Sequence, residues 1–173
     1  MTNVEIKIRY QKNHRTDGVL RKIGAEFDKK VIQTDTYFHV DKGWLKIRET
    51  DSSLPQLIQY FREHAEGPRS SHYEIVHLKN AEKVKQTLAT EHGIRGVVKK
   101  SREIWTWKNV CIHFDCVEKL GDFLEFEAVI QRGESASDGQ KKVEWLMKKF
   151  GIQNKNLEYR SYGDLLDQEI SCD

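Results

Sequence analysis

The stretch NVEIKIRY, residues 3–10, alternates without a break. Asn3, Glu5, Lys7 and Arg9 point one way and Val4, Ile6, Ile8 and Tyr10 the other, which is the period-two pattern of a strand. The same division of charge and hydrophobicity recurs far along the chain. Lys46 and Arg48 are opposed by Leu45 and Ile47, and Glu125 and Glu127 by Leu124, Phe126 and Ala128. For one strand, such alternation is the ordinary sheet with its apolar face on a core and its charged face in water. Over many strands a second solution opens: a sheet that closes can turn the charged parity into a lumen and send the apolar parity outward against helices.

Working outward from residues 3–10, the pattern predicts a short helix from Thr16 or Asp17 to Ile23, stopped by Gly24. A β-branched and aromatic run over 27–40 and a strand over 44–50 flank the turn Asp41-Lys42-Gly43. Strands over 56–63 and 72–79 flank the loop around Glu66-Gly67-Pro68-Arg69. Asn80 caps a helix that carries Val84 and Leu88 and closes at Gly93. Three strands follow, over 96–108, 110–117 and 122–131. Val143, Leu146, Met147 and Phe150 then mark a helix, capped at Ser137 or Asp138 and stopped at Gly151. Residues 161–169 read as a last amphipathic helix. About eight strands with no βαβ alternation predict an α+β fold built on a closed, or nearly closed, antiparallel sheet.

Composition narrows the function. Lysine plus arginine (29) nearly cancels aspartate plus glutamate (27) in 173 residues, so no general basic field exists for nucleic acid and any anion site is local. Three cysteines, Cys111, Cys116 and Cys172, without CxxC spacing argue against a disulfide framework or zinc ribbon. The start MTNVEIKIRY lacks a signal-peptide core and no stretch reaches membrane-span length, so a single cytoplasmic domain over residues 1–173 is expected. The seven histidines lack HxxH or HExxH spacing, which disfavours imidazole metal ligation, and His113 is read as flanking the lumen. Trp105, Trp107, Tyr37, Phe38 and Trp44 read as packing rather than as a base-stacking platform. No phosphate-binding glycine loop is present.

Inside a closed sheet, Lys7, Arg9, Lys46, Arg48, Arg62, Lys100 and Arg102 can neutralise phosphate oxygens. Glu5, Asp115, Glu125 and Glu127 can hold Mg²⁺ or Mn²⁺, hard cations that bridge carboxylates to phosphate.

The VEIKIRY start resembles the E-x-E-x-K signature of the CYTH family, which includes class IV adenylate cyclases, thiamine triphosphatase and inorganic triphosphatases. QTDTYF (33–38), GWLKIRE (43–49), KKSR (99–102), IHFDCVEKLGDFLEFE (112–127) and SYGDLL (161–166) follow in the order that family shows. The resemblance implies an eight-stranded antiparallel β-barrel tunnel with flanking helices that binds a triphosphate (ATP, thiamine triphosphate or tripolyphosphate) with Mg²⁺ or Mn²⁺, as monomer or homodimer. By position it implies metal-binding acids at Glu5, Glu125 and Glu127, with Asp115 a further acidic residue. It implies a phosphate grip from Lys7, Lys46, Arg48, Arg62, Lys100 and Arg102. Glu5, Lys7, Glu125 and Glu127 are the catalytic candidates. The resemblance leaves three chemistries open: hydrolysis, cyclisation of ATP to cyclic AMP and pyrophosphate, or binding without turnover. Asn3 stands where the signature has its first glutamate; a cyclase-like branch of the family also reads N-x-E-x-K there.

Overall fold

The computed structural model describes residues 1–62 and 66–170, with side chains described as far as residue 167. Glu63, the last residue of the predicted 56–63 strand, and Cys172 lie outside the described residues. Eight strands form a closed barrel: β1 (Thr2–Arg9), β2 (Glu26–Phe38), β3 (Trp44–Thr50), β4 (Ser53–Arg62), β5 (Arg69–His77), β6 (Ile94–Trp107), β7 (Val110–Val117) and β8 (Gly121–Val129). Around the wall the order is β1-β5-β4-β3-β2-β6-β7-β8, every pair is antiparallel, and β8 returns to β1 with Glu5 opposite Glu127 and Lys7 opposite Glu125. Closure leaves no sheet edge to protect.

The apolar parity faces outward, as one of the two readings of the alternation requires. Val4, Ile6 and Ile8 of β1 and Leu124, Phe126 and Ala128 of β8 form one core with Val143, Leu146 and Met147 of helix α3 (Ala136–Phe150) and Leu20 of helix α1 (His14–Ile23). Helix α2 (Ala81–His92) lays Val84 and Leu88 on Phe38, Ile47 and Leu78. Helix α4 (Tyr162–Ile170) behaves differently. Its Tyr162, Leu165 and Leu166 pack with Tyr37, Ile58, Tyr60, Val98 and Phe123, side chains of the inward parity, so α4 fills part of the barrel interior. Arg95 ties it down through Asp164 at 2.6 Å and Asp167 at 2.8 Å.

Boundaries shift for identifiable reasons. Both α1 and α3 begin earlier than predicted, because Asn13 and Ser135 are the caps while Thr16 and Asp138 are the third helical residues of capping boxes. Strand β4 starts at Ser53, ahead of the expected residue 56, and Pro55 sits in it where no backbone donor is required, its carbonyl accepting from Leu78 N at 2.8 Å. Strand β5 starts at Arg69 rather than residue 72, because RSSH pairs with β1 (Glu5 opposite Arg69, Asn3 opposite Ser71). Cys111 and Cys116 are both free thiols. Among the described residues, no helix is long and apolar enough to cross a membrane.

Candidate functional site: a charged barrel interior

The inward parity of the strands surrounds a cavity of about 200 Å³. Six basic side chains line it, Lys7, Lys46, Arg48, Arg62, Lys100 and Arg102, against three acids, Glu5, Glu125 and Glu127. Antiparallel pairing produces this convergence. Each strand contributes residues two apart, and the register sets Asp35 of β2 opposite Arg48 of β3 and Arg102 of β6 opposite Asp115 of β7.

Two fully buried carboxylates sit behind the cavity wall and hold the bases in place. Asp35 accepts from Lys46 at 2.8 Å and from both Nε and Nη2 of Arg48 at 2.7 and 2.8 Å, with Lys100 Nζ 3.6 Å away. Burial alone would raise its pKa, but Arg48, Lys46 and Lys100 hold it well below the usual range. Asp115 takes a two-pronged contact from Arg102, both bonds 2.6 Å, and the Tyr162 hydroxyl at 2.8 Å. Arg102 also reaches Glu125 at 2.5 Å. Every guanidinium so bound is oriented before any ligand arrives.

The lysines bear the cost of burial. Lys46 is lowered to about 7 by desolvation and by its neighbour Arg48, and Lys7 to about 8 by desolvation and Arg62. Lys7 donates to the Arg160 carbonyl and lies 4.4 Å from the Tyr162 ring centre. Glu5 is held above its usual value by burial despite Arg62, whose Nε lies 2.6 Å from a Glu5 oxygen. That contact is close in charge but poorly aligned. Among the described residues, Arg62 Nε and Nη1 find no hydrogen-bond partner, and neither do Asn3 Oδ1, Gln33 Oε1 or His113 Nδ1. These atoms all belong to the inward parity, and those of Asn3 and Arg62 lie on residues that line the cavity, where a polar ligand would reach them.

Of the residues singled out from sequence, Glu5, Lys7, Lys46, Arg48, Arg62, Lys100, Arg102, Glu125 and Glu127 share the cavity. Arg9 does not; it is exposed at the end of β1, donates to the Leu120 carbonyl at 2.6 Å and covers the Phe123 ring. Asp115 lies behind the wall, its oxygens occupied by Arg102 and Tyr162. Among the described residues, the acids that cluster closely enough to hold one metal ion are Glu125 and Glu127, joined by His113, with ligand atoms within 4.8 Å of one another; Glu5 and Asp115 are not in that group. His113 thus lies on the inward parity beside two carboxylates, though not on the cavity surface itself, and its spacing in the chain offers no ligand motif.

Sequence reasoning did not pick out Asp35, Tyr60, Ser71, Tyr73 or Tyr162. Asp35 and Tyr162 fall inside the QTDTYF and SYGDLL stretches and share the inward parity or the plug helix, which was the available signal. Ser71 lies in a polar run with no hydrophobic alternation to reveal it. The aromatic residues divide by parity. Trp44 stacks on Tyr60 at 5.2 Å inside the barrel, while Trp107 stacks on Trp145 of α3 at 4.5 Å outside it.

Comparison with known proteins agrees with this architecture. Residues 1–162 match the sequence model of the CYTH domain. A protein of Methanocaldococcus jannaschii, MJ0240, named provisionally as an adenylate cyclase, is 28% identical over 175 residues, covering 95% of this chain and 98% of its own. The structure of PH1012 from Pyrococcus horikoshii superposes with a TM-score of 0.82 at 22% identity, covering 94% of this chain and 98% of that one. HpAC1 from Hippeastrum superposes with a TM-score of 0.66 at 15% identity, over 96% of each chain. A closed eight-stranded barrel with a charged interior and a family match over nearly its whole length make this chain a member of the CYTH family.

Proposed function

We propose that this chain is a metal-dependent triphosphatase that hydrolyses inorganic or organic triphosphates inside the barrel. The observation that carries the reading is the Arg62 guanidinium on the cavity wall, whose Nε and Nη1 are buried without a hydrogen-bond partner among the described residues, Nε lying 2.6 Å from a Glu5 oxygen but out of alignment with it. A phosphate oxygen satisfies such a fork, and five further bases converge on the same space. A cavity of about 200 Å³ is below the roughly 300–1,000 Å³ of pockets that enclose whole drug-sized ligands. It therefore suits a compact phosphate chain, with any nucleoside or thiamine moiety left toward the mouth.

His113, Glu125 and Glu127 fit a divalent cation, since the cluster offers a buried imidazole nitrogen with no hydrogen bond and two carboxylates. Mg²⁺ or Mn²⁺ bound there supplies positive charge to phosphate oxygens and acidity to water. The chain's own residues do the rest. Lys46, Arg48 and Lys100, held by Asp35, and Arg102, held by Asp115, grip the phosphates. Arg62 and Lys7 draw off charge as the bond to the terminal phosphoryl group lengthens. Glu127, less engaged than Glu125, orients the attacking water and takes its proton. Orthophosphate and the shortened phosphate chain leave.

A second reading is cyclisation of ATP, favoured by the name of the M. jannaschii relative. The same clamp serves it, with the ribose hydroxyl attacking the α-phosphorus. The Hippeastrum neighbour bears an adenylyl cyclase name and a dominant triphosphatase activity, so in that protein the name does not tell which phosphorus is attacked. Incubation with tripolyphosphate, thiamine triphosphate and ATP, each with Mg²⁺ or Mn²⁺, separates the readings. Orthophosphate release supports the first and cyclic AMP the second. Saturable binding without turnover sinks both.

A further inference from the structure

We infer that His113 is a direct metal ligand, so that the barrel's cation site is an imidazole-dicarboxylate site formed with Glu125 and Glu127 and selective for Mn²⁺ over Mg²⁺. This rests on the metal-dependent reading above and adds the ligand set and the metal preference.

The strands bring the three donors together. His113 of β7 stands directly opposite Glu125 of β8, and Glu127 follows two residues along on the same face. His113 Nδ1 lies 3.9 Å from a Glu125 oxygen and 3.8 Å from a Glu127 oxygen. Those distances exceed a hydrogen bond, and among the described residues the nitrogen finds no other partner. The residue is 94% buried, with 6% of its surface exposed. An imidazole nitrogen without a partner, aimed between two acids in the interior, is unfavourable unless something bridges them. The donors lie within 4.8 Å of one another, a span that one ion with bonds of about 2.0–2.6 Å covers from edge to edge.

The local charge pattern points the same way. Asn3, lining the cavity on β1, contributes only a neutral amide. Glu5 is drawn to Arg62, and Asp115 is engaged by Arg102 and Tyr162. Glu125 also gives Oε2 to Arg102 at 2.5 Å, yet it stays within 4.8 Å of Glu127 and His113, so among the described residues the imidazole is the third protein donor of that cluster. Mg²⁺ takes oxygen ligands and gives up water reluctantly, whereas an imidazole nitrogen strengthens binding of first-row transition ions.

The test is Mn²⁺ titration of the intact protein by electron paramagnetic resonance, followed by pulsed measurement of nitrogen modulation on the bound ion. The expected result is nitrogen-coupled Mn²⁺ in the wild type. His113→Gln should lose the coupling and weaken Mn²⁺ binding by at least about tenfold, while Mg²⁺, measured by competition, changes much less. If His113→Gln fails to fold, wild-type protein labelled with nitrogen-15 histidine carries the test, and its modulation must move to the nitrogen-15 frequency. Bound Mn²⁺ without nitrogen coupling, or coupling that survives His113→Gln, overturns the assignment. Tripolyphosphate binding and orthophosphate release are measured on the same preparations. Their persistence alongside uncoupled Mn²⁺ refutes only the histidine ligand, whereas their absence refutes the triphosphatase itself.

Discussion

Replacing Asp35 by asparagine isolates the electrostatic logic of the barrel. The side chain is fully buried and meets Lys46 at 2.8 Å, Arg48 at 2.7 and 2.8 Å, and Lys100 at 3.6 Å. At an effective dielectric near 20, each contact has a gross Coulomb energy of about 5–6 kcal/mol. Desolvation offsets most of it, and removing one partner of a buried pair typically costs about 3–5 kcal/mol. Asparagine keeps the shape and removes the charge, leaving Arg48, Lys46 and Lys100 facing one another without their counter-ion. For a chain of this size that cost corresponds to a fall in Tm of roughly 6–20 °C. A phosphate chain returns negative charge to the same cations, so tripolyphosphate should raise the Tm of Asp35→Asn by more than it raises that of the wild type. Thermal unfolding followed by circular dichroism, with and without tripolyphosphate, measures both. A variant that melts within about 2 °C of the wild type, well under one broken buried pair, or equal ligand shifts in the two proteins, would refute the idea that Asp35 balances the clamp.

Other outcomes follow from the same geometry. Arg62→Ala should weaken tripolyphosphate binding by about 10–150-fold in calorimetry, the equivalent of one charge-assisted contact of about 1.5–3 kcal/mol. Glu127→Gln should lower kcat by about 10²–10⁴-fold while leaving tripolyphosphate affinity measured without divalent metal within a few-fold, and a loss confined to affinity would contradict its role toward water. Burial and Arg48 oppose the charge of Lys46 and lower its pKa from the ordinary 10.5 to about 7 in the folded chain. The unfolded chain therefore binds the extra proton between those values, so stability contributed by this group rises from about pH 7 to pH 10. It is fully present only above the unfolded value and is lost as pH falls through the folded one. Urea unfolding at pH 7 and 9 should show the rise in the wild type and a flatter profile in Lys46→Met. Gly43 sits at φ 70°, and an added Cβ would lie 2.6 Å from the Tyr60 carbonyl oxygen. Gly43→Ala should thus cost about 1–3 kcal/mol, read as a lower Tm.

The parts of the molecule that were legible in the sequence are those where one face of an element is apolar. Strands β1, β3 and β8 announced themselves by alternation, and α3 by its four apolar positions. The N-terminal half of β5 did not, because Arg69 and Ser71 face the interior while Ser70 and His72 are polar as well. With both parities polar, a strand cannot be told from a loop. The site was legible as a set of charges but not as a set of partners. That Glu125 and Glu127 share a face follows from their spacing; that Arg102 occupies Asp115, or that His113 lies between two glutamates, depends on the registers of β6, β7 and β8. Arg9 was drawn into the predicted grip by its parity alone, yet the strand ends there and its side chain turns to Leu120 and Phe123. Alternation assigns a face, and strand length decides whether that face is still inside.

Burying so many charges is ordinarily unfavourable, since desolvation can exceed what the pairs return. The barrel resolves this unevenly. Asp35 and Asp115 satisfy the bases on the β2, β3, β6 and β7 side, where the contacts are short and two-pronged. Across the cavity, on β1, β4 and β8, the pairing is looser: Arg62 meets Glu5 out of alignment, Asn3 Oδ1 has no hydrogen-bond partner among the described residues, and Glu5 is pushed toward its neutral form. Unpaired atoms are not confined to that side, since Gln33 Oε1 of β2 and His113 Nδ1 of β7 have no partner there either. The interior therefore holds unsatisfied groups beside both bases and acids. A polyanion alone would satisfy the Arg62 fork and add repulsion beside Glu5, Glu125 and Glu127. A cation alone would do the reverse. Only the two together leave neither sign in excess, which is the physical reason to expect that phosphate and metal bind cooperatively.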